Sequence, residues 1–510
     1  MLGPWKNFSR SQVKNMVVYI VGIMFYKFAL EWYNGAFITL ANERFGNDRY
    51  RKIGILTGLN YAMQCVGSII VAPLIKKYHT RSVLSAAVLI FGMISAILLV
   101  VDGATGGTMR FKTANKKTAY GDWNPNGLFP IYIVSGVSYG TVELIRRVIP
   151  KDIVGGDVQL LRRMDATVHI LYEVAGTIGA FSSVSLIGKF GYNYSFFLSP
   201  VFFIFAAIAW RCVDPVSPRQ DQNLTSLEDF ERKGGDTGYI GSVLSGFVAF
   251  FKASYYGAFL VFSHRKFVWL VSGYALALYG HRYLENGLAP IFAKQVLGVS
   301  SWSQIIVGGS NLGELFGAMS VLITTNYVTT PLPWLRLDAL ALNIAWVLPY
   351  IAVQPGKVRE AWRIAAIFLP VSFGWAAGDV SLAAYIQATL AKIESKDSSV
   401  SSLGAVMAFL YVLYIIVYAV LSTVLGNWVD KRLAGASTGS ALAVERARDA
   451  LKYIGGVQFT ILCIVVITST FIPKGSFAFN PKDSDFNAED SGDLETSSED
   501  NDLKDPIKLK

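Results

Sequence analysis

Between Asp165 and Phe181 the chain reads DATVHILYEVAGTIGAF, apolar enough to cross a bilayer yet carrying Asp165, His169 and Glu173 four residues apart. That spacing lines the three groups along one helical face, about one turn between neighbours. Imidazole and carboxylate together suit two chemistries. One is ligation of a divalent metal such as zinc, iron or manganese. The chain has only four histidines, with one in this segment, so a metal would need ligands from elsewhere. The more economical chemistry is a proton relay or gate, because histidine titrates near neutrality and apolar surroundings favour the neutral form of a carboxyl group. Asp165 directly follows Arg162, Arg163 and Met164, and is expected to cap the start of its helix.

Other apolar runs carry ionisable groups too. They hold Lys27 and Glu31, then Glu143, Arg146 and Arg147, then His281, Arg282 and Glu285, and finally Glu314 and Asp379. An ionisable group near a bilayer centre costs about 2.5–3.5 kcal/mol or more unless it is paired or hydrated. Each therefore marks a partner or a polar path. Lys27–Glu31 and His281–Glu285 are spaced to pair along one helix. Glu314 is expected to bridge to the helix that carries Glu173. Arg146, Arg147, Arg162 and Arg163 suit headgroup anchoring, and Asp379, among small neighbours, suits a cavity.

The elements that must position these groups follow from composition. The chain has 510 residues, 53% of them hydrophobic and 16% charged, well below the roughly one quarter that a soluble surface requires. The apolar residues fall in runs near the 20 residues of a transmembrane helix. Twelve spans are expected, at 16–40, 53–75, 82–101, 128–149, 165–188 and 194–211, then 267–293, 302–326, 334–353, 362–390, 400–425 and 453–472. The fold class is an all-α membrane protein of two six-helix, pseudo-symmetric halves.

Internal repetition supports the division. Asn34-Gly35 and Gly46 recur as Asn286-Gly287 and Gly298, GLN at 58–60 as GSN at 309–311, and VSYG at 137–140 as VSFG at 371–374. Parallel halves need an even number of crossings between them, so the apolar segment 239–262 is expected to lie along the interface. The predicted organisation is an N-terminal segment 1–15, a bundle 16–211, a linker 212–266, a second bundle 267–473 and an acidic tail 474–510. From Asn480 onward the tail holds ten acidic and four basic residues, a contribution of −6 that leaves +16 on the rest. Basic residues at span ends suit anionic headgroups rather than nucleic acid, and slightly favour an inside N-terminus.

Twelve spans in two parallel halves with a long middle loop resemble the major facilitator superfamily, over roughly residues 15–475. The loop APLIKKYHTR, Ala72 to Arg81, is similar to the family's loop between its second and third helices: Leu74, Lys77 and Arg81 match, while Lys76 and His79 replace an acidic residue and a glycine. VDPVSPR after the sixth span resembles a sugar-porter motif, and AGTIGA an antiporter motif. The texture resembles a fungal branch of the superfamily. The resemblance implies a central cavity lined by the first, fourth, seventh and tenth spans. Its substrate and proton pathway would comprise Lys27, Glu31, Asn34, Glu143, His169, Glu173, His281, Arg282, Glu285, Asn286 and Asp379, with Lys77, Arg81, Asp165 and Glu314 in gating.

The function expected is secondary active transport of a small solute by alternating access, coupled to protons. Divalent-metal transport and a non-transporting sensor on the same fold are the alternatives. The sequence lacks HExxH, Walker A and CxxC patterns, and its long loops carry no catalytic constellation, so an enzyme is not expected. Neither is a cofactor, a resident metal or a nucleic-acid partner. The expected partners are a small molecule or ion, protons and the lipid bilayer, around a monomer in the plasma membrane or an organellar membrane such as the vacuole.

Overall fold

The computed structural model describes residues 8–46, 48–113, 117–154, 158–214, 238–324, 327–393 and 402–481. The greater part of the linker and the tail beyond 481 lie outside the described residues, as do the side chains of Arg147, Arg162 and Arg163. The described chain is helical, with one isolated bridge between Thr108 and Ala119. Backbone polar groups in lipid must be satisfied within the segment, which selects helices for such apolar runs.

The helices are α1 (Arg10–Arg44), α2 (Arg49–Lys77), α3 (Thr80–Ala104), α4 (Leu128–Val154), α5 (Val158–Phe190), α6 (Leu198–Arg211) and α7 (Tyr239–Ser263). Then come α8 (265–296), α9 (Ser303–Thr324), α10 (332–350), α11 (Val358–Ile393), α12 (Ser402–Leu433) and α13 (Ala441–Ser469). Ten of these regions are long and apolar enough to cross a membrane. α6 is shorter, α8 alternates α- and π-turns, and α10 contains a 3₁₀ turn.

Local chemistry sets several ends. Ser9 and Gln12 form a reciprocal capping box that starts α1 well before its apolar run. α13 likewise begins at Ala441, capped by Ser440, twelve residues ahead of the expected span. α5 starts at Val158, so Asp165 lies in its second turn and does not cap it; the helix extends through the arginines that looked like its boundary.

α1 to α6 pack among themselves, α1 against α5 and α6, α2 against α4, and α3 against α4 and α6. α8 to α13 form a second group in which α9 lies along α11, and α10 along α11 and α13. The α9–α11 approach is set by Gly309, Gly313 and Gly317, whose missing β-carbons leave room for the backbone carbonyls of Ala365, Leu369 and Phe373. The groups meet through α2 on α12 and α5 on α9. α7 belongs to neither group. It lies against both α12 and α2, with the Tyr239 hydroxyl donating to the Ile70 carbonyl at 3.0 Å and Gly257 seated on the backbone of Ala405. Leu244, Phe251, Tyr255 and Phe259 face outward, while Leu260 and Val261 are buried.

Candidate transport cavity and its closed end

A cavity of about 1190 Å³ lies between the two groups, lined from α1, α2, α4, α5, α7, α8, α9, α11 and α12. Its lining reaches from Gly35 and Ile38 down to Pro73, Pro150, Asp165 and Ala405, the end that carries the N-terminus. The opposite end is shut. There Lys294 of α8 pairs with Glu43 of α1 at 2.9 Å and donates to the Asn42 carbonyl at 3.0 Å. Ser300 donates to Glu43, and the Asn42 amide donates to the Pro290 carbonyl. Beside them, Asp430 of α12 accepts from the Tyr50 and Arg51 backbone amides at 3.1 and 2.9 Å, capping α2 from the other group. Gln295 donates to the Tyr50 hydroxyl at 2.9 Å.

α1 brings Lys27 and Glu31 to the cavity as a bonded pair, with Lys27 over the Tyr172 ring at 4.4 Å. α4 brings Glu143, which pairs with Arg146 at 2.5 Å and accepts from Tyr26 and Tyr172. Arg146 is thus not a headgroup anchor: a carboxylate one turn away and the Tyr172 face, 4.4 Å distant, draw it inward. On α5, Asp165 is exposed at the mouth, while His169 and Glu173 line the cavity at increasing depth. Glu173 is 3% exposed, and its Oε2 has no hydrogen-bond partner.

α8 and α9 supply the opposite wall. His281 Nε2 lies 2.5 Å from Glu314 Oε1 and 3.5 Å from Glu285 Oε1. Arg282 binds Glu285 at 2.8 Å, and the Ser310 hydroxyl donates to Glu285 at 2.7 Å while contacting Ser372 at 2.6 Å. Glu314 therefore pairs within its own group and does not bridge to α5; the residue it would meet there, Glu173, is itself an acid. Asn286 donates to the Tyr61 hydroxyl at 3.2 Å across the groups. Asn34 and Asp379 also line the cavity. Lys77 is exposed, and Arg81 donates to the Val213 carbonyl, tying α3 to the end of α6 inside one group.

The ligand-capable atoms of His281, Glu285 and Glu314 lie within 4.8 Å of one another. They fit a metal poorly. Arg282 already occupies Glu285, and His281 Nδ1 has no hydrogen-bond partner, whereas a ligating histidine ordinarily donates its second nitrogen to one.

Several residues were not singled out by sequence. Glu43, Lys294 and Asp430 close one end. Asn311, whose amide nitrogen is buried without a partner, sits one turn from Glu314. Asp338 of α10 is 1% exposed with both oxygens unpartnered, and His281 is the charged group acting on it. For Lys294 and Asp338, a charged residue in an apolar run was the only signal. Asn193, which opens the glycosylation sequon Asn-Tyr-Ser, is engaged inside the fold, its amide donating to Asp102 at 2.6 Å and to the Ala119 carbonyl at 2.8 Å.

The Major Facilitator Superfamily profile matches residues 18–407. The chain belongs to the major facilitator superfamily. Solved transporters share the superfamily fold at low identity. The nucleoside transporter NupG aligns at a TM-score of 0.53 and 12% identity, over 90% of this chain and 99% of its own. A structure of proton dependent oligopeptide transporters aligns at 0.58 and 11%, over 90% and 98%. The xylose transporter XylE from E. coli, in a partially occluded inward open conformation, aligns at 0.54 and 10%, over 90% and 97%. No curated protein matches the chain by sequence. This superfamily member is an integral, multi-pass membrane transporter, and its superfamily places it among the secondary transporters of small molecules.

Proposed function

We propose that the chain is a proton-coupled carrier that moves a small solute by alternating access between two six-helix halves, α1–α6 and α8–α13. The observation that carries this reading is the unbalanced charge of the cavity centre. Lys27 and Arg282 face the carboxylates of Glu31, Glu173, Glu285 and Glu314, with His281 between two of them. Even with His281 protonated, one negative charge is in excess. A proton entering there neutralises a buried charge shared between α5 and α9, the helices that slide past each other when the halves rock. Protonation thereby changes the relative energy of two arrangements, which is the requirement for coupling.

The ligand is found first by thermal stability of the purified protein at pH 5.5 and 7.5 against amines, amino acids, sugars, carboxylates and Mn²⁺. A ligand at 100 times its dissociation constant stabilises by about 2.7 kcal/mol. Its uptake into liposomes is then driven by an imposed pH gradient. Glu173→Gln and Glu285→Gln are expected to reach the membrane and bind, but to lose gradient dependence. Undiminished dependence in both variants removes the proton reading. A response confined to Mn²⁺ and lost in His281→Ala turns the assignment to metal transport.

A further inference from the structure

The same centre holds information about the cargo. Among the described residues, seven carboxylates line the cavity, Glu31, Glu143, Asp165, Glu173, Glu285, Glu314 and Asp379, against four basic side chains. Each basic group is already engaged: Lys27 with Glu31, Arg146 with Glu143 and Arg282 with Glu285, while Lys252 has a partner as well. Among the described residues, a carboxylate or phosphate cargo would find no spare cation. An incoming positive charge would find Glu173, a cavity-lining residue almost fully buried, with one oxygen unbonded. On the facing helix, Asn311 is 4% exposed and its amide nitrogen is equally unbonded. These two orphans stand on opposite halves, since Asn311 approaches α5 at Gly176, one turn beyond Glu173.

We propose that the cargo is an organic cation whose ammonium group sits between the carboxylates of Glu173 and Glu314, with an adjacent hydroxyl or carbonyl accepting from Asn311. This rests on the carrier reading above and adds a substrate class to it. An ammonium there supplies the one positive charge that the centre lacks. It also satisfies two polar atoms whose desolvation is otherwise uncompensated. The walls suit such a cargo. Tyr61, Tyr139, Tyr172, Trp375, Tyr411 and Tyr414 line the space, and the protein already holds two of its own cations on the Tyr172 face. The other charged groups near Glu173 are Lys27 and Glu31 of α1, Arg282 of α8 and Glu314 of α9. Its own helix contributes His169 and Tyr172, the latter held by Glu143 and Arg146 of α4. Because a proton and an ammonium fill the same deficit, they compete, and cation binding should expel a proton.

The test uses the full-length protein and charge-matched probes on two skeletons: phenethylamine, phenethyl alcohol and phenylpropionate, then ethanolamine, ethylene glycol and glycolate. Affinity is read by thermal shift and proton release by a pH dye in weakly buffered detergent solution. On at least one skeleton the amine is expected to bind about tenfold or more tighter than both analogues, the equivalent of losing one good polar contact. Its affinity should fall from pH 8 to pH 5.5, with proton release on binding. Glu173→Gln should abolish both the pH dependence and the release, and Asn311→Ala should weaken ethanolamine more than phenethylamine. Tighter binding of the anions, silence of both amines at both pH values, or unchanged amine affinity in both variants overturns the proposal. If an amine binds as described but is not moved by a pH gradient in liposomes, the cation site stands and the carrier reading fails. If an anion is taken up with protons, the carrier reading stands and the cation site fails.

Discussion

Asp338 shows what a single buried side chain can disclose. Its backbone and β-carbon pack against Gly374, its carboxyl lies inside the second half under the influence of His281, and neither oxygen is bonded. An unsatisfied buried polar group costs about 1–3 kcal/mol, so its presence is not explained by stability. Asp338→Leu should raise the thermal unfolding midpoint, by an amount corresponding to about 1 kcal/mol or more. A lowered midpoint would show that the carboxyl has a partner such as bound water. Sequence reasoning passed over Asp338 because LRLDALAL reads as an ordinary helix. It did find Glu173, His281 and Glu285, because their spacing within apolar runs is visible without knowing which helix faces which. What it could not supply is partner choice. Glu314 was assigned to α5 because neighbours across helices are set by packing rather than by spacing along one chain, whereas Arg146 was assigned to lipid headgroups although Glu143 stands one turn away on its own helix.

Among elements, α9 demonstrates how small residues position the charged wall. Gly309, Gly313 and Gly317 recur every fourth residue and let α9 lie directly on the α11 backbone, which turns Asn311 and Glu314 toward the cavity and sets Ser310 between Glu285 and Ser372. A β-carbon at Gly313 would stand 2.2 Å from the Leu369 carbonyl oxygen. Gly313→Ala should therefore destabilise by about 1–3 kcal/mol, the usual range for overpacking, and should weaken ligand binding along with it. Gly46→Ala, with nothing within 4 Å, is the matched control. Equal thermal midpoints for the two variants would contradict the packing account. The existence and order of the helices were readable from hydropathy, while their ends were not. The capping box at Ser9 and the amphipathic first turns of α13 carry polar residues that a hydropathy window discards. Segment 239–262 was readable as a helix, but its seat against α2 and α12 depends on contacts such as Tyr239 to Ile70 that leave no periodic trace.

At the scale of the whole molecule, one end of the cavity is held shut by a small set of bonds between the halves, and these determine which side the cargo meets. Lys294 is 7% exposed at its side chain and Glu43 25%, so the pair is shielded from water and couples α8 to α1 far more strongly than a surface bridge would. Asp430 adds a second tie, from α12 to the first turn of α2. Neutralising Lys294 removes the bond and leaves Glu43 with Ser300 alone, so the closed end should open more often. Each 1.4 kcal/mol lost from that closure raises the open population about tenfold while it remains the minor state. The reporter is Ile38→Cys, a cavity-lining position near the shut end, in a background where Cys65, Cys212 and Cys463 are serine. In sealed vesicles, a membrane-impermeant thiol reagent on the Arg44–Arg49 side should label this cysteine slowly in the parent and about tenfold faster after Lys294→Gln, for a loss of about 1.4 kcal/mol. Asp430→Asn should act in the same direction, and the two together should exceed either alone because the ties join different helix pairs. Labelling from the N-terminal side should slow correspondingly, because a carrier that alternates cannot favour both openings. If both sides label faster at once, the bonds hold the bundle together rather than selecting its open end, and the exchange of open ends proposed for this protein would have to rest on other contacts.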